Sequence, residues 1–205
     1  LRRLGLADDS SVVVYDGGPG LSAARAWWLL RWSGVRDVRV LDGGLPGWVA
    51  DPARTTESGP SAPRAPGTVT VRPGALPVVD ADAVDHAVAG AVDGSAARLI
   101  DVRAAARYRG EVEPLDPVAG HIPGARNLPI AELMLPDGTY RPAGEIASLL
   151  DGVGITAGVQ VVASCGSGVT ACQLVLAADL VGIRVSLYPG SYSQWCALGR
   201  PVATG

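Results

Sequence analysis

Short β-branched runs alternate along this chain with longer apolar stretches of helical spacing. Ser11 to Tyr15 reads as a buried strand ending at Asp16, and Gly17-Gly18-Pro19-Gly20 as a turn. Leu21 to Trp32 reads as a well-buried helix, because Ala, Trp and Leu fall on most of its faces. Gly34 fits its C′ stop. Val38 to Leu41 predicts a second strand. Further on, Val69 to Val71 predicts a short strand opening a second domain, and Ala81 to Ala91 a helix. Arg98 to Val102 reads as a strand, Ala104 to Tyr108 as a helical turn, and Gly110 to Leu128 as loop. Gly144 to Leu150 reads as helical, and Arg184 to Tyr188 as a strand. Ser191 to Leu198 closes the pattern with one or two helical turns. Strands alternating with helices predict an α/β fold with parallel sheets.

One unit repeats. Val12 to Asp16 matches Val161 to Cys165, and the helix from Leu21 matches the helix from Val169. Leu41-Asp42-Gly43-Gly44-Leu45-Pro46-Gly47-Trp48 aligns with Tyr188-Pro189-Gly190-Ser191-Tyr192-Ser193-Gln194-Trp195. Asp16 and Cys165 thus hold equivalent places. Fewer residues precede the aspartate than the cysteine, so the first copy reads as cut off at its front. The expected organisation is a partial domain over 1–51, a Pro/Ser/Thr/Gly/Arg-rich linker over 52–67, and the cysteine-bearing domain over 68–205.

The cysteine copy carries the candidate chemistry. Cys165 sits where a strand hands over to a helix N-terminus across Gly166-Ser167-Gly168-Val169-Thr170. Backbone amides of such a loop, with the helix dipole behind them, stabilise an anion on sulfur. Cys165 is therefore the expected nucleophile, and Gly166, Ser167, Gly168, Val169 and Thr170 its cradle. Cys172 reads as a packing residue, and Cys196 has no assigned part. Three cysteines give no disulfide framework, which fits a reducing, cytoplasmic compartment. Two histidines and scattered cysteines leave no metal-ligand spacing, so no metal or other cofactor is expected. The 205 residues carry a net charge of −3 with no basic block, which argues against a nucleic-acid partner. No apolar run reaches the ~18 residues of a membrane span.

Several further segments stand in a telling order. They are Asp101-Val102-Arg103, Arg107-Tyr108-Arg109-Gly110, Glu113-Pro114, Gly120-His121-Ile122-Pro123-Gly124-Ala125, Cys165 to Ala171, and Tyr188 to Trp195. In that order and spacing the chain resembles the two-domain rhodanese family of sulfurtransferases. The resemblance implies tandem rhodanese-like domains, each a parallel sheet flanked by helices. The first would be incomplete and inactive, with Asp16 at the cysteine position. It implies a persulfide on Cys165, formed from a small anionic sulfur donor. A thiol, cyanide or sulfur-carrier protein would then take the sulfur, with ping-pong kinetics. Arg107 falls at the carboxylate-binding position. Arg103 is a second candidate for the donor's anion, although in the family it more often makes a structural ion pair. His121 would be a structural turn residue.

The Gly166-Ser167 pair after the cysteine resembles 3-mercaptopyruvate sulfurtransferases; thiosulfate-type rhodaneses usually carry Arg and Lys there. Mercaptopyruvate enzymes often place a further Arg after the Glu-Pro pair, where Leu115 stands. The alternatives are a thiosulfate:cyanide sulfurtransferase using the same persulfide, or a non-catalytic sulfur-carrier or binding module. A cysteine phosphatase is disfavoured, because the position six after Cys165 is Ala171 and not Arg.

Overall fold

The strands β1 (Ser11–Val14) and β2 (Asp37–Val40) pair in parallel, from Ser11 opposite Asp37 to Val14 opposite Val40. Between them runs α1 (Leu21–Trp32), which buries Ala23, Ala24, Trp27, Trp28 and Leu30. Its end follows the expected stop: Ser33 N–H bonds Leu29 O, and Gly34 takes φ +97°. A short helix, α2 (Gly44–Ala50), follows β2.

β1 is not the buried strand expected. Val13 and Tyr15 are both 58% exposed. Among the described residues β1 pairs with β2 alone, and side chains two apart share a face. Val12 and Val14 therefore take the half-buried side, while Ser11, Val13 and Tyr15 face outward.

The computed structural model describes residues 1–60, 62, 64–89 and 97–205. These form two compact units, Leu1–Leu76 with Asp137–Thr139, and Pro77–Pro136 with Tyr140–Gly205. The strand expected at Val69–Val71 does not form. Val69 N–H bonds Leu6 O, Gly67 N–H bonds Arg2 O, and Arg72 N–H bonds Ser33 O. This stretch satisfies its amides along the first unit and not in a sheet. Residues 61 and 63 of the expected linker lie outside the described residues, as do the last two of the helix expected over 81–91.

The second unit contains, in chain order, α3 (Ala81–Ala89), β3 (Arg98–Asp101), α4 (Ala105–Tyr108), β4 (Arg126–Asn127), α5 (Ala143–Gly152), β5 (Val161–Ser164), α6 (Ala171–Leu180), β6 (Ser186–Leu187) and α7 (Ser191–Ala197). Among the described residues its four strands are all parallel, in the order β4-β3-β5-β6. The two-residue β4 falls where only loop was expected. Every residue of β5 is buried, as a strand with neighbours on both edges and helices on its faces must be. α6 is buried without a break from Ala171 to Ala178, which explains its apolar character on all faces. Val84, Leu99, Ile122, Val162, Tyr188, Tyr192 and Trp195 pack into one core cluster. Cys165 thus lies at the carboxyl end of an interior strand, where open parallel sheets place their ligands.

Candidate active site

Cys165 is 2% exposed. Gly168 N–H donates to its sulfur at 3.1 Å. The loop doubles back tightly enough to place that amide because Gly168 adopts φ +74°. A Cβ on Gly168 would lie 2.2 Å from Pro189 O. Gly168→Ala is therefore expected to destabilise the second unit by about 2–4 kcal/mol and to impair sulfur uptake. Thermal melting and intact mass after exposure to a donor check this. Wild-type values for both would refute it.

The first turn of α7 clamps the loop from below. Tyr192 N–H donates to Cys165 O at 3.0 Å and Ser193 N–H to Gly166 O at 2.9 Å. The buried Ser191 hydroxyl accepts Cys165 N–H at 3.0 Å. Of the remaining cradle residues, Ser167 is exposed and Val169 is half-buried. Thr170 is the N-cap of α6, without a side-chain cap bond.

Arg107 comes from α4 and reaches the same loop. A Cβ on Gly166 would lie 3.7 Å from Arg107 Nη1 and 3.8 Å from Nη2. Glu113 holds the guanidinium in place, accepting from Nη2 at 2.6 Å and from Nε at 3.2 Å. Asp116 lies 3.6 Å from Nη2. Burial would push the Glu113 carboxyl up, but Arg107 and the Leu115 and Asp116 amides outweigh it and hold it below its ordinary 4.5.

Arg103, the second candidate for the donor's anion, lies buried beside Asp101 and Glu113. Its side chain is 2% exposed and engaged on every side. Nε and Nη2 donate to Asp101, Nη2 also to Gly120 O, and Nη1 to Glu113. Burial works against its charge, and the Asp101 carboxylate more than restores it. Its guanidinium lies 3.9 Å from the Tyr192 ring centroid, so it braces α7 from the side away from solvent. Arg103 thus makes a buried ion-pair network with Asp101 and Glu113, the arrangement that the family resemblance more often gives it.

His121 stands just before the turn that Ala125 N–H closes onto Ile122 O, in an isolated antiparallel bridge with Ala203. Its Nδ1 lies 2.8 Å from Tyr108 O, its ring stacks on Tyr108, and its backbone pairs with Ala203. Cys172 is fully buried and donates to Gly168 O at 3.3 Å. Among the described residues no group of three His, Cys, Asp or Glu side chains could hold a metal ion. Two residues of consequence received no role from the sequence. Glu113 was visible only as part of the Glu-Pro pair, and Ser191 only as part of the aligned repeat.

The aspartate copy shows what such a cradle does to an anion. The Asp16 carboxylate accepts N–H bonds from Gly18 at 3.0 Å, Gly20 at 3.1 Å and Ala23 at 3.0 Å. Burial alone would raise its pKa, but these amides prevail and hold it below the ordinary 3.8.

The sequence matches the rhodanese-like domain family over residues 2–51 and 85–198. The chain belongs to the rhodanese-like family. This rhodanese-like chain is 45% identical over 212 residues to a Pseudomonas aeruginosa protein named as a probable 3-mercaptopyruvate sulfurtransferase, covering 100% of the chain and 72% of that protein. It is 34% identical over 196 residues to the thiosulfate sulfurtransferase of Gallus gallus, covering 94% and 66%. The crystal structure of the 3-mercaptopyruvate enzyme SseA from Escherichia coli superposes with a TM-score of 0.77 at 37% identity, covering 94% of the chain and 70% of SseA. The expected fold and the expected class of enzyme, a sulfurtransferase, both stand. No helix among the described residues is long and apolar enough to cross a membrane.

Proposed function

We propose that this sulfurtransferase takes sulfur from 3-mercaptopyruvate onto Cys165. The Cys165 thiolate attacks the donor thiol sulfur. An S–S bond forms, the donor C–S bond breaks, and the departing enolate takes up the donor's thiol proton to become pyruvate. An acceptor thiolate or cyanide then attacks the outer persulfide sulfur and releases the Cys165 thiolate. The observation that carries this reading is the 3.1 Å bond from Gly168 N–H to the cysteine sulfur, made in a loop that Arg107 adjoins. A backbone donor already aimed at sulfur stabilises negative charge there without reorganising.

Arg107, held by Glu113 with Nη1 toward Gly166, would bind the donor carboxylate. Gly166, Ser167, Val169 and Thr170 complete the cradle. A loop without cations suits a monoanionic donor better than the thiosulfate dianion. The catalytic part is the second copy, within 68–205, and the first, within 1–51, takes no sulfur because Asp16 fills its cradle. A reducing compartment such as the cytoplasm suits a thiol that must stay reduced between turnovers.

Intact mass after incubation with 3-mercaptopyruvate, and separately with thiosulfate, tests the reading. One added sulfur from mercaptopyruvate is the expected result. Addition from thiosulfate alone would keep the persulfide and overturn the donor. Addition from neither would overturn the function.

A further inference from the structure

The two copies of the repeat, compared bond by bond, separate what belongs to the scaffold from what belongs to the cysteine. Three features are shared. Leu41 N–H bonds Val14 O at 2.9 Å, as Tyr188 N–H bonds Ala163 O at 3.0 Å. Leu45 N–H bonds Asp16 O at 2.9 Å, as Tyr192 N–H bonds Cys165 O at 3.0 Å. Gly44 takes φ +57°, and Ser191, aligned with it, takes φ +51°.

Two features differ. Ser193 N–H bonds Gly166 O at 2.9 Å, whereas the aligned Pro46 has no N–H to give. Position 44 has no side chain, whereas the Ser191 hydroxyl accepts Cys165 N–H at 3.0 Å and donates to Tyr188 O at 2.9 Å. Its proton is committed to Tyr188, so a lone pair faces the cysteine amide.

Ser191 is the one non-glycine with positive φ among the described residues. Glycine is the relaxed residue for that conformation and stands there in the aspartate copy. The serine therefore costs backbone energy in the copy that has a cysteine, and its hydroxyl offsets that cost by holding the cysteine amide. Ser191 is 0% exposed, so it acts through Cys165 and not on a donor.

We infer that Ser191 is a positioning residue for sulfur uptake, fixing the Cys165 backbone so that its sulfur meets Gly168 N–H and the incoming donor. This rests on the persulfide reading above.

The test is single-turnover persulfide formation, followed by quenched intact mass across 3-mercaptopyruvate concentrations, in Ser191→Gly and Ser191→Ala. Ser191→Gly relaxes the backbone and is expected to melt within a few degrees of wild type. Its maximal rate is expected to fall about fivefold to tenfold, the worth of one buried hydrogen bond. Its half-saturating donor concentration should stay the same, because the Arg107 contacts are untouched. Ser191→Ala should show the same loss of rate with a lower melting temperature. Wild-type maximal rates in either variant would overturn the inference, as would a loss confined to half-saturation. If the wild-type chain takes up no sulfur, the persulfide reading fails. The rate of Cys165 alkylation by iodoacetamide then decides for Ser191: slower in Ser191→Gly supports the positioning, and equal overturns it.

Discussion

Cys165→Ser is expected to lower sulfur transfer by at least about a thousandfold while the protein keeps its fold. Serine is close to cysteine in size, and its oxygen can take the Gly168 N–H that now serves sulfur. What is lost is the nucleophile: a hydroxyl does not ionise near neutral pH and cannot carry the S–S bond. Neither of the other thiols can take over. Cys172 is fully buried and donates to Gly168 O. Cys196 is half-buried on α7, and burial pushes its thiol up, which leaves less thiolate at neutral pH. Steady-state turnover and intact mass after donor, with the melting temperature measured alongside, check this. A folded serine variant that still gained one sulfur would sink the assignment of Cys165.

Glu113→Gln is expected to weaken stability and donor binding together. The carboxylate is 3% exposed and accepts from Arg103, from Arg107 twice, and from the amides of Leu115 and Asp116. Removing its charge leaves two arginines short of a partner and turns an amide N–H toward a guanidinium. Breaking a buried ion pair from one side costs about 3–5 kcal/mol. The melting temperature should fall by roughly 10 °C. The half-saturating donor concentration should rise by about tenfold or more, because Arg107 loses its anchor.

The same carboxylate sets a pH dependence. Its folded pKa lies below the ordinary 4.5, so its stabilising contribution is fully present above 4.5 and is lost as pH falls below that value. Acid titration followed by circular dichroism should show this step in wild type and a flatter curve in Glu113→Gln. A glutamine variant with wild-type melting and wild-type half-saturation would refute the role.

The site was more legible in the sequence than the surroundings that hold it. Cys165 and its loop stood out because a β-branched run, a cysteine and a glycine-rich turn are adjacent in the chain. α1 was legible to the residue for the same kind of local reason. Ser191 was not, because its bond to Cys165 spans 26 residues; nor was Glu113, whose partners lie within ten residues but in an irregular loop that carries no periodicity. Arg103 and Arg107 look alike in the sequence, four residues apart. The family resemblance separates them, and the structure adds the physical difference: Asp101 and Gly120 O close around the buried Arg103, while Arg107 shares Glu113 with it and reaches the loop. The exposure of β1 was hidden because a β-branched run reads the same whether it has one neighbouring strand or two. β4, at two residues, is too short to carry a periodicity.

The carboxylate in the aspartate copy has a chemical consequence for the chain as a whole. Peroxides, alkylating agents and thiophilic metals react with sulfur and ignore a carboxylate. The two loops of the repeat therefore offer different chemistry to such reagents: a carboxylate held by three amides around Asp16, and a buried thiol held by one at Cys165.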